Sequence, residues 1–311
     1  MSCIKDRKMS RFATVDEVRS TEFMSLSRIL DQLTTRYNFP DHSDVNQERY
    51  PWATGLLSSP AFYAARMWEY PYAILSAELK PGIRCADIGC GMTPFTVFLK
   101  EIAKCEVVGI DSHIFDVGIS YKGHGVSREF VRKTGLQIVQ CGGEAIPFSS
   151  NTFDRVFCLS VVEHLSPDVA RRGFREMARI LKPGGRAIIT ADVNMFSEIS
   201  RPLDLIWDSG LLPLGDMDLR WPTRRFGIFC DGKQPADVFG MTLIKEDYPV
   251  ETQYTGVGGS TNPSLISASL IPTMRRQSTD GESARLRKTN RQIWRQGLCR
   301  VQKALGTIFQ G

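Results

Sequence analysis

The 311-residue chain contains no run of about 20 apolar residues, so it offers no candidate for a membrane-spanning helix. Met1 to Ser10 carries charges where a secretory leader needs an apolar stretch, and a soluble, intracellular, cytoplasmic protein is expected. None of the eight cysteines forms a Cys-x-x-Cys pair. Cys85, Cys105 and Cys158 stand in apolar, strand-like surroundings where cysteine behaves as a small hydrophobe, so neither a disulfide framework nor a zinc site is indicated and no metal is expected. Residues 1–80 show helical pattern without a repeat, and no Gly-Lys-Ser/Thr follows the glycines at 89 and 91, which removes a P-loop.

What is present is apolar enough for a full core, at 42% hydrophobic residues. The chain centres on Arg84 to Lys104. A short, mostly apolar run ends in Asp87, passes Gly89, Cys90 and Gly91, and opens into Phe95, Phe98, Leu99 and Ile102 at helical spacing. This predicts a strand, a tight turn and a helix, with Thr93 as N-cap and Pro94 in the first helical position. Glycines let such a turn approach a ligand closely. A dinucleotide fingerprint requires a third glycine where this chain has Pro94, and Asp87 repels phosphate. A ligand with a positive centre suits the turn.

Asp87-x-Gly89-x-Gly91 resembles motif I of the class I S-adenosylmethionine-dependent methyltransferases, in the small-molecule branch, with Thr93 where a third glycine is often found. The resemblance covers residues 80–193. It implies S-adenosyl-L-methionine as cofactor and an α/β fold: a Rossmann-like, seven-stranded, mostly parallel sheet with helices on both faces and a final antiparallel strand pair. The sequence alternates accordingly. A second strand, Glu106 to Ile110, ends in Asp111, which the doubly wound fold places to accept hydrogen bonds from both ribose hydroxyls; a helix N-cap is its structural alternative. A third, Leu136 to Gln140, leads to Cys141-Gly142-Gly143-Glu144-Ala145-Ile146-Pro147-Phe148, similar to the family's adenine-binding stretch but with Gly142 where the family has aspartate. That leaves backbone groups near Gly143 and Glu144 to read the adenine edge. The implied cofactor-facing set is Asp87, Gly89, Cys90, Gly91, Asp111, Ser112, Gly143, Glu144, Ala145 and Ser160.

Ser160-Val161-Val162-Glu163-His164 follows the fourth strand, at the sheet edge where ligands bind in open α/β folds. His164 is the candidate catalytic base for a hydroxyl acceptor, since histidine titrates near working pH; hydrogen bonding to the backbone at the strand end is the alternative, with Glu163 solvated or facing the cofactor. The Asn/Asp-Pro-Pro-aromatic run used by enzymes that methylate nucleic-acid amines is missing, so no nucleic-acid partner is expected. Ser166-Pro167-Asp168 starts a helix bearing Arg171, Arg172, Arg175 and Arg179, read as a solvated basic face, and Leu181-Lys182-Pro183-Gly184-Gly185 turns into a fifth strand ending at Asp192.

The flanks read as a helical annex or lid at 1–74 and a methyltransferase domain at 75–276 with an insertion at about 194–239. Tyr70, Pro71 and Tyr72 are the annex residues expected nearest the cleft. Trp207, Trp221, Arg224 and Arg225 in the insertion suit either a sugar or anionic acceptor or a local core. Met241 to Val250 and Ser264 to Met274 are the expected antiparallel pair. Residues 277–311 form a basic amphipathic tail: the chain from Arg275 onward carries nine Lys/Arg against Asp280 and Glu282, which places the whole positive excess there. It reads as a peripheral membrane contact at the inner membrane surface or as a docked terminal helix. The expected activity is methyl transfer to a hydroxyl oxygen of a small-molecule or lipid-linked acceptor, in surface polysaccharide or glycolipid biosynthesis, or to a quinone or polyketide-like hydroxyl. A non-catalytic cofactor-binding scaffold or regulatory subunit is the reading from another class.

Overall fold

From residue 84 onward, apolar runs bounded by polar turns alternate with amphipathic helices, and each run becomes a strand of one sheet. The computed structural model describes residues 9–39, 65–114, 125–192, 202–220, 228–230 and 234–246, all within one unit of the chain, 1–248. In chain order the elements are β1 (Ser10–Phe12), α1 (Val15–Val18), α2 (Thr21–Tyr37), α3 (Arg66–Ser76), β2 (Arg84–Ile88), α4 (Pro94–Glu101), β3 (Glu106–Asp111), α5 (Arg128–Thr134), β4 (Gln137–Gln140) and β5 (Phe153–Leu159). A 3-10 turn (Val162–His164) leads to α6 (Pro167–Ile180) and β6 (Leu181–Asp192). There follow α7 (Pro202–Ser209), β7 (Leu212–Pro213), β8 (Met217–Asp218), β9 (Ile228–Cys230), β10 (Gln234–Ala236) and β11 (Val238–Ile244).

The main sheet runs β4-β3-β2-β5-β6-β11-β1-β8, with β7 also on β11, while β9 and β10 pair separately. Strands β2 to β6 are mutually parallel, and β11 lies antiparallel to β6 from Val238 opposite Asp192 to Ile244 opposite Arg186. Ile88, Asp111, Leu159 and Asp192 therefore end at one edge. The expected strand at 241–250 is found at Val238–Ile244; the expected partner at 264–274 lies outside the described residues. Beyond β11 the sheet continues instead with β1, Arg11 opposite Gly240 and Phe12 opposite Phe239.

Alternate side chains of the parallel strands feed two apolar layers. Cys85, Val107, Phe157 and Ile188 pack with Phe95, Leu99, Trp68, Tyr72 and Leu30 of α4, α3 and α2. Ala86, Val108, Val156 and Ile189 pack with Phe174, Met177, Leu205 and Ile206 of α6 and α7. Helix α3 approaches the sheet over Gly240, where an added Cβ would fall 2.5 Å from Tyr72 Cε1 and 2.8 Å from Trp68 Cη2. Tyr72 also donates to the Met9 carbonyl at 2.5 Å, and Arg11 lies over the Trp68 and Tyr72 rings. Tyr72 thus faces β11 and β1, while Arg66, Glu69 and Tyr70 of the same helix reach toward the edge where the strands end.

Two sequence expectations change in detail. Thr93 occupies the N-cap position of α4 but makes no side-chain capping bond; its hydroxyl is in hydrogen-bonding contact with Tyr70. The Leu-Lys-Pro-Gly-Gly segment belongs to β6 from Leu181 on, because Gly184 and Gly185 exchange backbone hydrogen bonds with Lys245 just past β11. On α6, Arg171 pairs with Asp168 and Asp208, and Arg179 with Glu176 and the carbonyls of Ile146 and Phe148. Arg172 and Arg175 are exposed.

Candidate functional site

The turn after β2 is held against β3 by two backbone bonds to the Ile110 carbonyl, from Gly89 at 2.7 Å and Cys90 at 3.2 Å. Gly89 has φ 69°, and a Cβ there would run into Val161 of the turn after β5. Only glycine meets both conditions without strain. Asp111, at the end of β3, closes the arrangement: one carboxylate oxygen accepts from Gly91 N–H and the other from His113 N–H, each at 2.9 Å. A carboxylate has about four acceptor positions, so each oxygen keeps capacity for a further donor. Asp87 lies buried behind the turn and accepts from Thr96 Oγ1 at 2.6 Å. Burial pushes its pKa up to about 7; the Thr96 hydrogen bond works against that, and the negative charge of Asp111 adds to it.

Beside the turn is a cavity of about 240 Å³. Gly89, Asp111, Ser112, Gly142, Gly143 and Glu144 form one wall, and Ile88, Ile110, Val161, Val162, Leu165, Val169 and Met177 give the rest an apolar lining. At Gly142 an added Cβ would fall 2.7 Å from both Cδ and Oε1 of Glu144, and closer still to Oε2. The Glu144 carboxylate thus fills the volume that a side chain at 142 would occupy. These residues fit the adenosine end of S-adenosylmethionine: Asp111 would take the ribose hydroxyls, Glu144 and the Gly142–Gly143 backbone would meet the polar edge of the base, and the aliphatic lining would cover its faces. Cys90 is buried and Ala145 exposed, and neither lines the cavity.

The carboxyl ends of β5 and β6 carry a second polar group of side chains. Ser160, a non-glycine residue with φ 51°, donates to Glu69 Oε1 at 2.6 Å, and Thr190 Oγ1 donates to the same oxygen at 2.6 Å. Glu69 also receives Arg66, one turn earlier on α3. Burial works against the Arg66 charge, but Glu69, Tyr70 and Glu163 more than offset it and raise the guanidinium pKa. Burial drives the Tyr70 hydroxyl up to about 12, with Arg66 opposing. Glu163 is 4% exposed, so it is not a solvated carboxylate; burial first, and then the charge of Asp192, raise its pKa well above the carboxylate range. Its Oε1 accepts from Asp192 N–H at 3.3 Å. His164, the neighbouring candidate base, is exposed, and its backbone N–H bonds to the Val161 carbonyl.

The structure therefore brings Gly89, Asp111, Ser112, Gly143 and Glu144 together around one cavity, with Gly91 bonded to Asp111, Asp87 beneath the turn and Ser160 tied to α3. Sequence reasoning missed Glu69, Arg66 and Thr190. The signal at 66–72 was aromatic, and a glutamate on a helix ordinarily reads as solvated. Among the described residues no group of three or more histidine, cysteine or acidic side chains is arranged to hold a metal ion.

Residues 86–189 match a family model described as "Methyltransferase domain". The chain is similar to a probable tRNA methyltransferase 9B of Homo sapiens, 35% identical over 113 residues, which cover 36% of this chain and 22% of that protein. It is also similar to the ubiquinone/menaquinone biosynthesis C-methyltransferase UbiE of Stenotrophomonas maltophilia, 32% identical over 139 residues (43% and 50% of the two chains). With the protein of the same description from Nitrosospira multiformis it is 31% identical over 170 residues (53% and 62%). The chain spans at most half the length of the first two. The matched segment runs from β2 to β6 and contains the glycine turn, Asp111 and the cavity wall, so residues 86–189 form a methyltransferase domain of the class I S-adenosylmethionine-dependent type.

Proposed function

We propose that this chain transfers a methyl group from S-adenosylmethionine to a hydroxyl oxygen of a small or lipid-linked acceptor, with a saccharide of a surface polysaccharide or glycolipid first among the candidates. The observation that carries the cofactor half is Asp111, one of whose oxygens holds Gly91 of the glycine turn and the other His113 N–H, at a cavity walled by Gly143 and Glu144. When bound, the cofactor supplies a methyl group already activated on a sulfonium. The protein's work is alignment, exclusion of water and acceptance of the acceptor's proton. In this proposal His164 takes that proton, so His164→Ala lowers turnover about tenfold or more at unchanged cofactor affinity. Unchanged turnover assigns it to the turn alone.

The likeness to UbiE adds quinol ring carbons to the acceptors worth screening. The likeness to a probable tRNA methyltransferase, together with exposed Arg172 and Arg175 on α6, supports a second reading in which the acceptor is a structured RNA. Calorimetric titration with S-adenosylmethionine and S-adenosylhomocysteine comes first. Micromolar affinity for both supports the proposal, and no binding at millimolar ligand removes it. Methyl transfer from labelled cofactor to glycolipid extract, reduced quinone or total tRNA then separates the acceptors. A chain that binds cofactor and labels none of them is a scaffold.

No described helix is long and apolar enough to cross a membrane. The basic segment 277–311 lies outside the described residues. We assign it a salt-sensitive contact with anionic lipid, checked by vesicle sedimentation of the full chain and of a chain ended at residue 276; equal sedimentation of the two rejects the contact.

A further inference from the structure

Ser160 follows β5 with a backbone that serine seldom adopts. Its φ is 51°, in the left-handed region, where a Cβ crowds the following carbonyl. Of the other non-glycine residues described with positive φ, Asn38, Glu78 and Lys104 stand just past helices and Asn151 in a turn. Ser160 instead lies at the carboxyl edge of the sheet, directly before the cavity wall. A residue in such a region persists only where its surroundings over-determine it, and such residues cluster at functional sites.

Two contacts hold this one. Its N–H donates to the Thr190 carbonyl at 3.0 Å, and its hydroxyl donates to Glu69 Oε1 at 2.6 Å, the oxygen that Thr190 Oγ1 also reaches from β6. Glu69 is fully buried, and its other oxygen holds Arg66. Helix α3 is itself anchored on either side of Glu69. Trp68 Nε1 donates to Glu17 at 2.9 Å, and the Tyr72 hydroxyl lies 2.9 Å from Thr242 Oγ1. What depends on Ser160 is the residue after it. Ser160 is not part of the cavity wall, whereas Val161, Val162 and Leu165 are. Val161 packs so closely on the glycine turn that an added Cβ at Gly89 would fall 3.2 Å from its Cγ1 and nearer still to Cγ2. A change of φ at 160 swings this wall away from Gly89.

We propose that Glu69 is a positioning residue: it holds Ser160 in the left-handed conformation, and through Ser160 it sets Val161 against the glycine turn and fixes the apolar wall of the cofactor cavity. The assignment rests on the cofactor reading above and makes α3, which lies outside the matched segment, a part of the cofactor site.

Substitutions at 160 test it, because alanine and glycine both lose the hydroxyl and only alanine resists a positive φ. Released from Glu69, Ser160→Ala should populate the binding-competent turn only in part, and apparent affinity falls by that fraction. The assay is calorimetry with S-adenosylhomocysteine, below the melting midpoint of each chain. Ser160→Ala should bind about tenfold more weakly than wild type, and Ser160→Gly within about threefold of it. Glu69→Ala should lose about tenfold in the serine chain but no more than about threefold when added to Ser160→Gly. Equal affinity of Ser160→Ala and Ser160→Gly overturns the assignment: a shared loss means that the hydroxyl meets the ligand itself, and no loss means that the turn holds without Glu69. An equal loss from Glu69→Ala in both chains also overturns it, since Glu69 then acts through Arg66 or Thr190. If Glu69→Ala does not fold, the two Ser160 variants decide alone. A wild-type chain that binds no S-adenosylhomocysteine removes the cofactor reading, and this one with it.

Discussion

Moving the carboxylate at the cavity wall from position 144 to position 142 tests how this chain reads an adenine ring. Glu144 fills the volume above Gly142, with its Cδ and Oε1 2.7 Å from where a Cβ at 142 would stand. Gly142→Asp alone therefore displaces Glu144 and crowds two carboxylates together. At about 4 Å their repulsion is about 1 kcal/mol in water and about 4 kcal/mol at the effective dielectric of a protein surface. Glu144→Gly alone removes the carboxylate. A hydrogen bond to a charged group is worth about 1.5–3 kcal/mol, and because Glu144 is only half-buried the lower figure applies, about a tenfold loss of affinity. Gly142→Asp combined with Glu144→Gly supplies one carboxylate in the vacated volume, so affinity should return to within about threefold of wild type, with a coupling of about 2–3 kcal/mol between the positions. The assay is calorimetry with S-adenosylhomocysteine at fixed ionic strength. If Glu144→Gly binds as tightly as wild type, or if the double variant shows only the summed losses, Glu144 does not contact the base.

Asp111→Ala should abolish measurable cofactor binding in the same assay, a loss of about a hundredfold or more, because it removes the ribose acceptor and leaves Gly91 and His113 N–H groups unpaired. Unchanged binding rejects the ribose assignment. Gly240→Ala drives a methyl into the Tyr72 and Trp68 rings and should destabilise the fold by about 1–3 kcal/mol, lowering the melting midpoint by several degrees; an unaltered midpoint refutes the close packing of α3 on β11. Asp87 has its folded pKa raised to about 7 from the ordinary 3.8, chiefly by burial, so its ionisation costs stability. The cost is nil below the unfolded pKa, grows between about pH 4 and 7 and is complete above that, reaching on the order of a few kcal/mol. Asp87→Asn should therefore raise urea stability at pH 8 far more than at pH 5, and an equal change at both values contradicts the raised pKa.

The cofactor half of the site is local in sequence, which is why residues 84–144 could be read so closely. Glycines one residue apart after an apolar run, an acid at the end of the next strand and a Gly-Gly-Glu after the third each announce a turn at the same sheet edge. The polar cluster at the ends of β5 and β6 is a different matter. Glu69 earns its place only through Ser160 and Thr190, 91 and 121 residues further on, and no periodicity encodes such a meeting. Glu163 was visible as a residue beside a histidine, but its burial comes with neighbours distant in sequence, its bond to the Asp192 backbone among them. A three-residue strand such as β1 is likewise too short to show alternation. The arrangement of the sheet beyond β11 was legible only in part, since the strand expected at 264–274 lies outside the described residues.

The pairing of β1 with β11 sets a schedule for the growing polypeptide. Arg11 meets Gly240, and Tyr72 meets Thr242, so the earliest described strand leaves the ribosome long before its neighbour has been made. At about 5–20 residues per second the wait is roughly 10–50 s. During that interval Trp68 and Tyr72 lack the part of their packing that Gly240 and Thr242 supply. Sheet completion is a late event that joins distant parts of the chain, which predisposes this protein to slow maturation and makes the timing of translation part of its folding.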